Sequence, residues 1–131
     1  MTFNNVEHTR LYISPDSLKL LVLDGTKTMQ ILYLKDTEKI TENSKTIPLE
    51  SIAVSICWFK NSENIVVAYK KKFQIYNVLT PDEKPLSVEC LLSNDYSWRQ
   101  PRVVFDDRAV ILLSKDKKLV FYDIHRRKFV A

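Results

Sequence analysis

The chain has 131 residues, the size of a single domain with one hydrophobic core. Hydrophobic residues make up 45% of it and charged residues 27%, as in globular proteins, and no apolar run approaches the length of a membrane-spanning helix. The net charge of +4 permits an acidic partner but does not by itself indicate one.

The two cysteines and the first residues favour an intracellular protein, in the nucleus or the cytoplasm. Cys57 and Cys90 lie in apolar runs without metal-ligand spacing, so we predict that both are reduced and packed as small hydrophobic side chains. A structural disulfide is the alternative. The first ten residues, MTFNNVEHTR, lack the apolar segment of a signal peptide.

Short apolar runs rich in β-branched and aromatic residues alternate with turn signals, which predicts an all-β fold. Ser14-Pro15-Asp16-Ser17 and Asp24-Gly25 predict tight turns. A helix is an alternative only within Ile47–Phe59, which opens the second unit, and the charged segment 35–45 holds at most a short outer strand at Lys39–Thr41. The other predicted strands are Leu11–Ile13, Leu18–Leu23, Met29–Leu34, Ile65–Tyr69, Phe73–Val78, Ser87–Leu92, Arg102–Phe105, Val110–Leu113, Leu119–Ile124 and a last one containing Phe129-Val130-Ala131.

The strand pattern occurs three times, which is typical of a stacked or radial repeat architecture. Phe59 and Phe105 stand 46 positions apart, and so do Phe73 and Leu119. The second and third units therefore align with one constant offset, and each pair of residues is expected to occupy the same place in its sheet.

The first unit follows the same pattern with a small insertion. Tyr12 and Trp58 are 46 positions apart, whereas Ile31 and Ile75 are 44 apart. These offsets predict that the Asp24–Thr28 turn is two residues longer than the corresponding turn of the second unit.

Strands that are apolar on both faces indicate sheets that are covered on both sides. In the third unit, Leu119 and Phe121 alternate with Val120 and Tyr122, so both faces of this strand are apolar. A radial stack of sheets fits this pattern, and a β-sandwich or barrel with chance self-similarity is the alternative. The side chains expected to be buried in the sheets are Phe73, Ile75, Leu119 and Phe121.

Three short segments resemble the blades of WD-repeat proteins. Tyr76-Asn77-Val78 and Tyr122-Asp123-Ile124 are similar to the end of the third strand of such a blade, and Ser14-Pro15-Asp16 is similar to its first turn. The resemblance implies antiparallel four-stranded blades of a partial β-propeller, in a single segment spanning residues 1–131. The implied blades lie at about residues 9–46, 47–92 and 102–131.

Three blades do not close a ring, since propellers have about four to eight. We therefore expect the chain to be the N-terminal portion of a larger propeller protein, or to complete its ring with another chain or copy. As long as the ring is incomplete, the unpaired faces of its terminal blades favour oligomerisation.

No pattern in the sequence indicates an enzyme, a cofactor site or a metal site. His8 and His125 have no Cys, His or carboxylate at ligand spacing. With Gly25 as the one glycine, a glycine-rich phosphate-binding loop is excluded.

Lysines in equivalent turns are the main candidates for partner binding. The constant offset places the lysine turns of the second and third units on the same side of the repeat, which we call the basic rim. The resemblance to WD-repeat blades implies that the loop with Trp98 and Arg99 lies beside it. The alternative is that these lysines only keep the turns soluble. The opposite turns, with Asp16, Glu63 and Asp106-Asp107, are expected to form an acidic rim. The candidate residues of the basic rim are Lys70, Lys71, Lys72, Trp98, Arg99, Lys115, Lys117 and Lys118.

These observations favour a non-catalytic protein–protein interaction scaffold within an intracellular multiprotein complex, with protein partners or the remaining blades of the propeller. The alternative is an RNA-contacting propeller subunit in RNA processing or ribosome assembly, for which the basic rim would bind phosphate groups. A small β-barrel of the phosphoinositide-binding type is a weaker alternative, because such a fold ends in an amphipathic helix that His125–Ala131 does not provide.

Overall fold

The computed structural model describes residues 9–24, 28–34, 44–89, 101–113 and 119–130. Within these ranges the chain forms β-strands and no helix, which confirms the predicted all-β class. The strands are β1 (Thr9–Ile13), β2 (Lys19–Asp24), β3 (Thr28–Tyr33), β4 (Lys45–Pro48), β5 (Ser55–Trp58), β6 (Asn64–Ala68), β7 (Lys72–Asn77), β8 (Leu86–Glu89), β9 (Arg102–Val104), β10 (Ala109–Leu113), β11 (Leu119–Asp123) and β12 (Lys128–Phe129).

The strands form three antiparallel four-stranded sheets, in which each strand pairs with its neighbours in the sequence. Sheet 1 contains β1 to β4, sheet 2 contains β5 to β8, and sheet 3 contains β9 to β12. The sequence placed the start of the second unit at Ile47, but the structure pairs Ile47 with Met29 of β3. The fourth strand of sheet 1 therefore reaches Pro48, and the outer strand predicted at Lys39–Thr41 lies outside the described residues.

Residues 1–52 form one compact unit, built on sheet 1. Its central strands β2 and β3 carry fully buried side chains, among them Leu21 and Met29. By contrast, the side chains of Leu11 and Ile13 on the edge strand β1 are 65% and 58% exposed. The apolar side chains of this edge strand therefore remain in contact with solvent.

Residues 53–131 form a second compact unit, in which sheets 2 and 3 pack against each other through one apolar face of each. The rings of Phe73 and Tyr122 meet edge to face with their centroids 5.3 Å apart, and Phe129 packs on Tyr122 at 5.1 Å. Burying a side chain of this size stabilises the fold by roughly 1.5–3 kcal/mol. The buried members of this cluster are Phe59, Val66, Ala68 and Phe73 from sheet 2 and Val110, Leu112, Val120 and Tyr122 from sheet 3.

Strand register confirms one of the predicted equivalences between sheets 2 and 3 and contradicts the other. Phe73 and Leu119 occupy the same place in the third strands of their sheets, since they pair with Ala68 and Leu113 at the ends of the second strands. Phe59, however, precedes the first turn of sheet 2 and is 3% exposed, whereas Phe105 lies within the first turn of sheet 3 and is 67% exposed.

The residue equivalent to Phe59 is therefore Val104, at an offset of 45. The offset between equivalent residues of sheets 2 and 3 is 45 up to β10 and 46 from β11 onward. It changes there because the connection between β10 and β11 is one residue longer than the connection between β6 and β7. Sheet 1 repeats the correction: Ile13, not Tyr12, is equivalent to Trp58, since each pairs with the first apolar residue after its turn. The predicted Asp24–Thr28 insertion is thus one residue, not two.

Burial follows the prediction for sheet 2 but not for the last strands. Phe73 is fully buried and Ile75 is half-buried in the cluster between the sheets. Leu119 is 51% exposed, so its predicted burial is wrong, and Phe121 is only half-buried. The reason is that both side chains lie on the face of sheet 3 turned away from sheet 2, as the alternation with the buried Val120 requires.

Candidate interaction surfaces

The lysine turn between β6 and β7 is the part of the predicted basic rim that the structure describes. The Tyr69 N–H donates to the Lys72 carbonyl at 2.8 Å, which closes the turn, and Lys70 and Lys71 at its tip are exposed. The Lys72 ammonium lies 5.6 Å from the centroid of the Tyr69 ring, within range of a cation–π contact. Lys72 is thus held against the turn, and Lys70 and Lys71 are the lysines available to a partner.

A buried polar network anchors the base of this turn. The Tyr69 hydroxyl donates to Oε1 of Gln74 at 2.7 Å, and the Tyr76 hydroxyl donates to the same oxygen at 2.9 Å. The Gln74 amide nitrogen donates to Ser87 Oγ at 2.9 Å. Because Gln74 is only 3% exposed, these bonds are what makes its burial tolerable, and they fix Tyr69 under the lysines.

The other residues predicted for the basic rim, Trp98, Arg99, Lys115, Lys117 and Lys118, lie outside the described residues. Their gathering with Lys70–Lys72 stays a prediction. The ion pairs Lys60–Asp106, at 3.2 Å, and Arg126–Asp123, at 3.8 Å, do not involve Lys70 or Lys71 and lie at the opposite ends of the strands.

Asp107 joins the first turns of sheets 2 and 3, a role that the sequence analysis missed. Its Oδ1 accepts the backbone N–H of Lys60 at 2.7 Å, and its Oδ2 accepts that of Asn61 at 3.0 Å. Beside it, the Asp106 carboxylate receives the Lys60 ammonium at 3.2 Å. We call the paired backbone contacts of Asp107 the carboxylate clasp. The predicted acidic rim is therefore, at this point, a set of acceptors already matched by donors of the neighbouring sheet.

In the first unit, Asp16 is likewise occupied by its own turn. Its carboxylate accepts the Ser14 hydroxyl, the Leu18 N–H at 2.9 Å and the Lys19 ammonium at 3.1 Å. The hydrogen bond from Ser14 is the largest cause that lowers the pKa of Asp16 from 3.8 to about 2, and the Leu18 N–H adds to it. Asp16 is a turn-forming residue in this structure.

Sheet 3 exposes an apolar face, which we call its outer face. Leu113, Leu119 and Val130 on this face are 39%, 51% and 53% exposed. The Val130 N–H donates to the Phe121 carbonyl at 3.0 Å, which aligns Val130 with Phe121 across the sheet. The apolar members of the outer face are Val104, Ala109, Ile111, Leu113, Leu119, Phe121 and Val130.

The outer face of sheet 3 corresponds, position by position, to the face of sheet 2 that sheet 3 covers. By register, Leu113 is equivalent to Ala68 and Leu119 to Phe73, and both residues of sheet 2 are fully buried. Exposed apolar faces of this kind are typical of interaction sites, which makes the outer face a candidate. The sequence carried the signal for this surface in its apolar alternation, but not the information that nothing covers it in the described structure.

Metal sites, membrane-spanning helices and reactive cysteines were the other features considered within the described ranges. No group of three or more His, Cys, Asp or Glu residues there could hold a metal ion. Searching the same ranges, we find no helix with the length and apolar character needed to cross a membrane. Cys57 is a free, half-buried thiol, and Cys90 lies outside the described residues.

Comparison with known proteins establishes the fold. No protein-family model and no curated protein sequence matches the chain. Among the solved structures, it is similar to one titled "Structure of U3-55K", a WD40 β-propeller protein, with a TM-score of 0.73 and 9% sequence identity. The match covers 97% of this chain and 42% of the U3-55K chain. The chain is therefore a partial β-propeller of antiparallel four-stranded blades, and it spans less than half the length of that relative.

Proposed function

We propose that this partial propeller is a non-catalytic protein–protein interaction module of an intracellular multiprotein complex, in which further β-sheets cover its open blade faces. The observation that carries the proposal is the outer face of sheet 3. Leu113 and Leu119 are exposed there, although their equivalents in sheet 2 are fully buried under the next sheet. Covering them removes apolar surface from water, which stabilises association.

Two polar side chains at strand ends support a likeness of these blades to WD repeats. Asn77 ends β7 and accepts the Leu79 N–H at 2.8 Å, and Asp123 ends β11 and accepts the Arg126 N–H at 3.0 Å. The same kind of side chain therefore starts the turn after the third strand in both sheets. The blades expected from the sequence, at about residues 9–46, 47–92 and 102–131, carry over to this proposal, except that the first extends to Pro48 and the second begins after it.

The proposal is tested by placing a charge on the outer face. We expect Leu119→Arg to prevent the full-length protein from entering its native complex, measured as loss of the high-mass fraction in size-exclusion chromatography. Leu79→Arg is the matched control, since Leu79 is 52% exposed in the loop after β7. An unchanged elution profile for Leu119→Arg contradicts the proposal, as does a purified chain that sediments as a compact, stable monomer at micromolar concentration.

A second candidate function is contact with RNA through the basic rim, favoured by the exposure of Lys70 and Lys71 at the end of the sheet away from the ion pairs. Each phosphate contact to single-stranded RNA contributes a slope of about −0.7 in log affinity against log salt. We expect Lys71→Glu combined with Lys117→Glu to weaken binding and flatten this slope. Lys84→Glu, at an exposed lysine in another loop, is the control.

The same double variant also tests binding to an acidic protein partner. We expect the difference in affinity between the variant and the unmodified chain to decrease as the salt concentration rises. If the double variant binds RNA and the native protein partner with unchanged affinity and unchanged salt dependence, the lysines are solubilising turn residues.

A further inference from the structure

The first turn of sheet 3 is built differently from the first turns of the other two sheets. Left-handed backbone occurs at Phe105, Asp106 and Asp107, with φ of 54°, 51° and 66°. In the described first turns of sheets 1 and 2 it occurs at one residue each, Ser17 and Ser62. Aspartates tolerate such backbone, and positive φ at two successive residues is typical of a type I′ turn. Phe105 is the exception, because positive φ is an outlier for a bulky side chain.

The ring of Phe105 also lies in solvent. It is 67% exposed, the largest exposed fraction among the large hydrophobic side chains of the described residues. Left-handed backbone in a residue that does not tolerate it lowers the folded-to-unfolded ratio by roughly 5- to 30-fold, and asparagine would avoid most of this loss. The chain therefore gives up stability to hold an aromatic side chain in water, and local strain of this kind is found at functional sites.

Several contacts hold the turn, and with it the ring, in place. The Arg108 N–H donates to the carbonyls of Val104 and Phe105, both at 3.2 Å, and the Ile124 N–H donates to the Arg108 carbonyl at 2.9 Å. The carboxylate clasp ties Asp107 to sheet 2. A residue fixed in this way loses little conformational freedom on binding, which suits it to anchor an interface.

Packing of a further sheet on the outer face does not by itself bury the start of this turn. Lys60 follows Phe59 in sheet 2 as Phe105 follows Val104 in sheet 3. Although sheet 3 covers the adjacent face of sheet 2, the Lys60 side chain is still 79% exposed. We therefore expect the occupant of Phe105 to bind the turn itself, beyond the ends of the strands.

The charges around Phe105 favour a protein over a nucleic acid as that occupant. Two carboxylates and two cations lie at the turn, namely Asp106 and Asp107, and Lys60 and Arg108. These charges balance, whereas binding of phosphate groups requires an excess of positive charge. An apolar centre within a polar rim is the pattern of protein interfaces. Lys60 binds Oδ1 of Asp106 at 3.2 Å, and among the described residues no donor reaches Oδ2.

We propose that Phe105 anchors a partner protein by inserting its ring into an apolar pocket that has a lysine or arginine at its edge. The basic side chain of the partner binds Oδ2 of Asp106, and this charged contact orients the ring in the pocket. The inference goes beyond the proposed function, since it assigns a second surface and stands whether or not a sheet covers the outer face.

The first experiment compares the stability of Phe105→Asn with that of the unmodified full-length protein in urea. We expect the substitution to raise the folded-to-unfolded ratio by about two- to tenfold, because asparagine tolerates left-handed backbone. Leu79→Asn is the control, since Leu79 is 52% exposed but does not have positive φ, and it should bring no gain. An equal or lower ratio for Phe105→Asn would show that the ring supports the chain's own fold, and would overturn the proposal.

The second experiment replaces Phe105 by the photoreactive residue p-benzoylphenylalanine in the full-length protein within its native complex. Mass spectrometry locates the cross-links, and an isotope-labelled second copy distinguishes contacts between copies. We expect cross-links to aliphatic or methionine side chains of a different protein, beside a lysine or arginine. Cross-links to RNA, to a second copy or to another part of the same full-length chain overturn the proposal, as does the absence of any cross-link.

Affinity for the cross-linked protein completes the test. We expect Phe105→Asn to weaken binding by about 30-fold or more, as at interface hot spots. Asp106→Asn should weaken it by about three- to tenfold and reduce its salt dependence, whereas Leu79→Asn should leave it unchanged. Unchanged affinity for Phe105→Asn or for Asp106→Asn contradicts the proposal. If Leu119→Arg prevents assembly of the native complex and Phe105→Asn does not weaken binding, this inference is wrong and the proposed function stands.

Discussion

Replacing Asp107 by asparagine tests whether the carboxylate clasp holds sheets 2 and 3 together. Asn has nearly the same size and tolerates the left-handed backbone found at this position, where φ is 66°. An amide offers one acceptor oxygen and no charge, however, so one of the N–H groups of Lys60 and Asn61 loses its partner.

The size of the effect follows from the geometry. Hydrogen bonds to charged groups contribute about 1.5–3 kcal/mol each, and two short ones, at 2.7 Å and 3.0 Å, are weakened here. Both are solvent-exposed, and solvent replaces part of what is lost, so we expect Asp107→Asn to lower the free energy of unfolding by about 1–2 kcal/mol. Urea denaturation followed by tryptophan fluorescence measures this, with an unchanged slope against urea concentration.

Asp106→Asn provides the control at the adjacent residue. Its φ of 51° is also left-handed, and its carboxylate makes only the exposed ion pair with Lys60, which is worth less than about 1 kcal/mol. The reasoning is refuted if the two substitutions shift the urea midpoint equally, or if Asp107→Asn leaves the Lys60 and Asn61 amides as protected from exchange as before.

Three further predictions concern the core, the polar network and the Asp16 turn. Phe73→Ala should cost about 3–5 kcal/mol in urea denaturation, and Phe121→Ala less than half as much, because Phe121 lies on the open outer face; equal losses would show that this face is covered. Gln74→Leu should destabilise the fold by about 1–3 kcal/mol, because it removes the acceptor that the Tyr69 and Tyr76 hydroxyls share, against about 0.5–1.5 kcal/mol for Tyr76→Phe, and the opposite order would contradict the network. Because the pKa of Asp16 is lowered from 3.8 to about 2, its contribution to stability is present above pH 3.8 and is lost as the pH falls through about 2. An NMR titration should show this midpoint, and Ser14→Ala should raise it; an unmoved midpoint would exclude the Ser14 hydroxyl as its main cause.

The sheets could be predicted from sequence because their strands and turns are encoded locally. Ser14-Pro15-Asp16-Ser17 forms the predicted turn, and the alternation in β11 places Leu119 and Val120 on opposite faces as expected. The sequence alignment of the first strands of sheets 2 and 3 was wrong by one residue, because it paired two residues of the same type, Phe59 and Phe105. A one-residue difference in a connection leaves no trace in strand composition.

The interaction surfaces were predictable only in part. Exposure of Lys70 and Lys71 follows from a lysine turn, which cannot be buried without paired charges. The donors to Asp107 belong to another sheet, 46 and 47 positions away, and no local pattern announces such a contact. Likewise, the apolar side chain of Leu119 indicates that the strand is suited to burial, but the sequence does not show whether a neighbouring sheet covers it.

The strand order of the sheets has a consequence for the kinetics of folding. Every pairing within a sheet joins consecutive strands, so forming a sheet costs less loop-closure entropy than bringing two sheets together. The carboxylate clasp, in contrast, can form only after the first turns of two sheets have met. We therefore expect the strands of each sheet to pair before sheets 2 and 3 dock. On this hypothesis Asp107→Asn should accelerate unfolding while leaving the refolding rate almost unchanged in stopped-flow measurements. Loss of the clasp should thus shorten the lifetime of the docked pair without slowing its formation, and a slower refolding rate for Asp107→Asn would contradict this order of events.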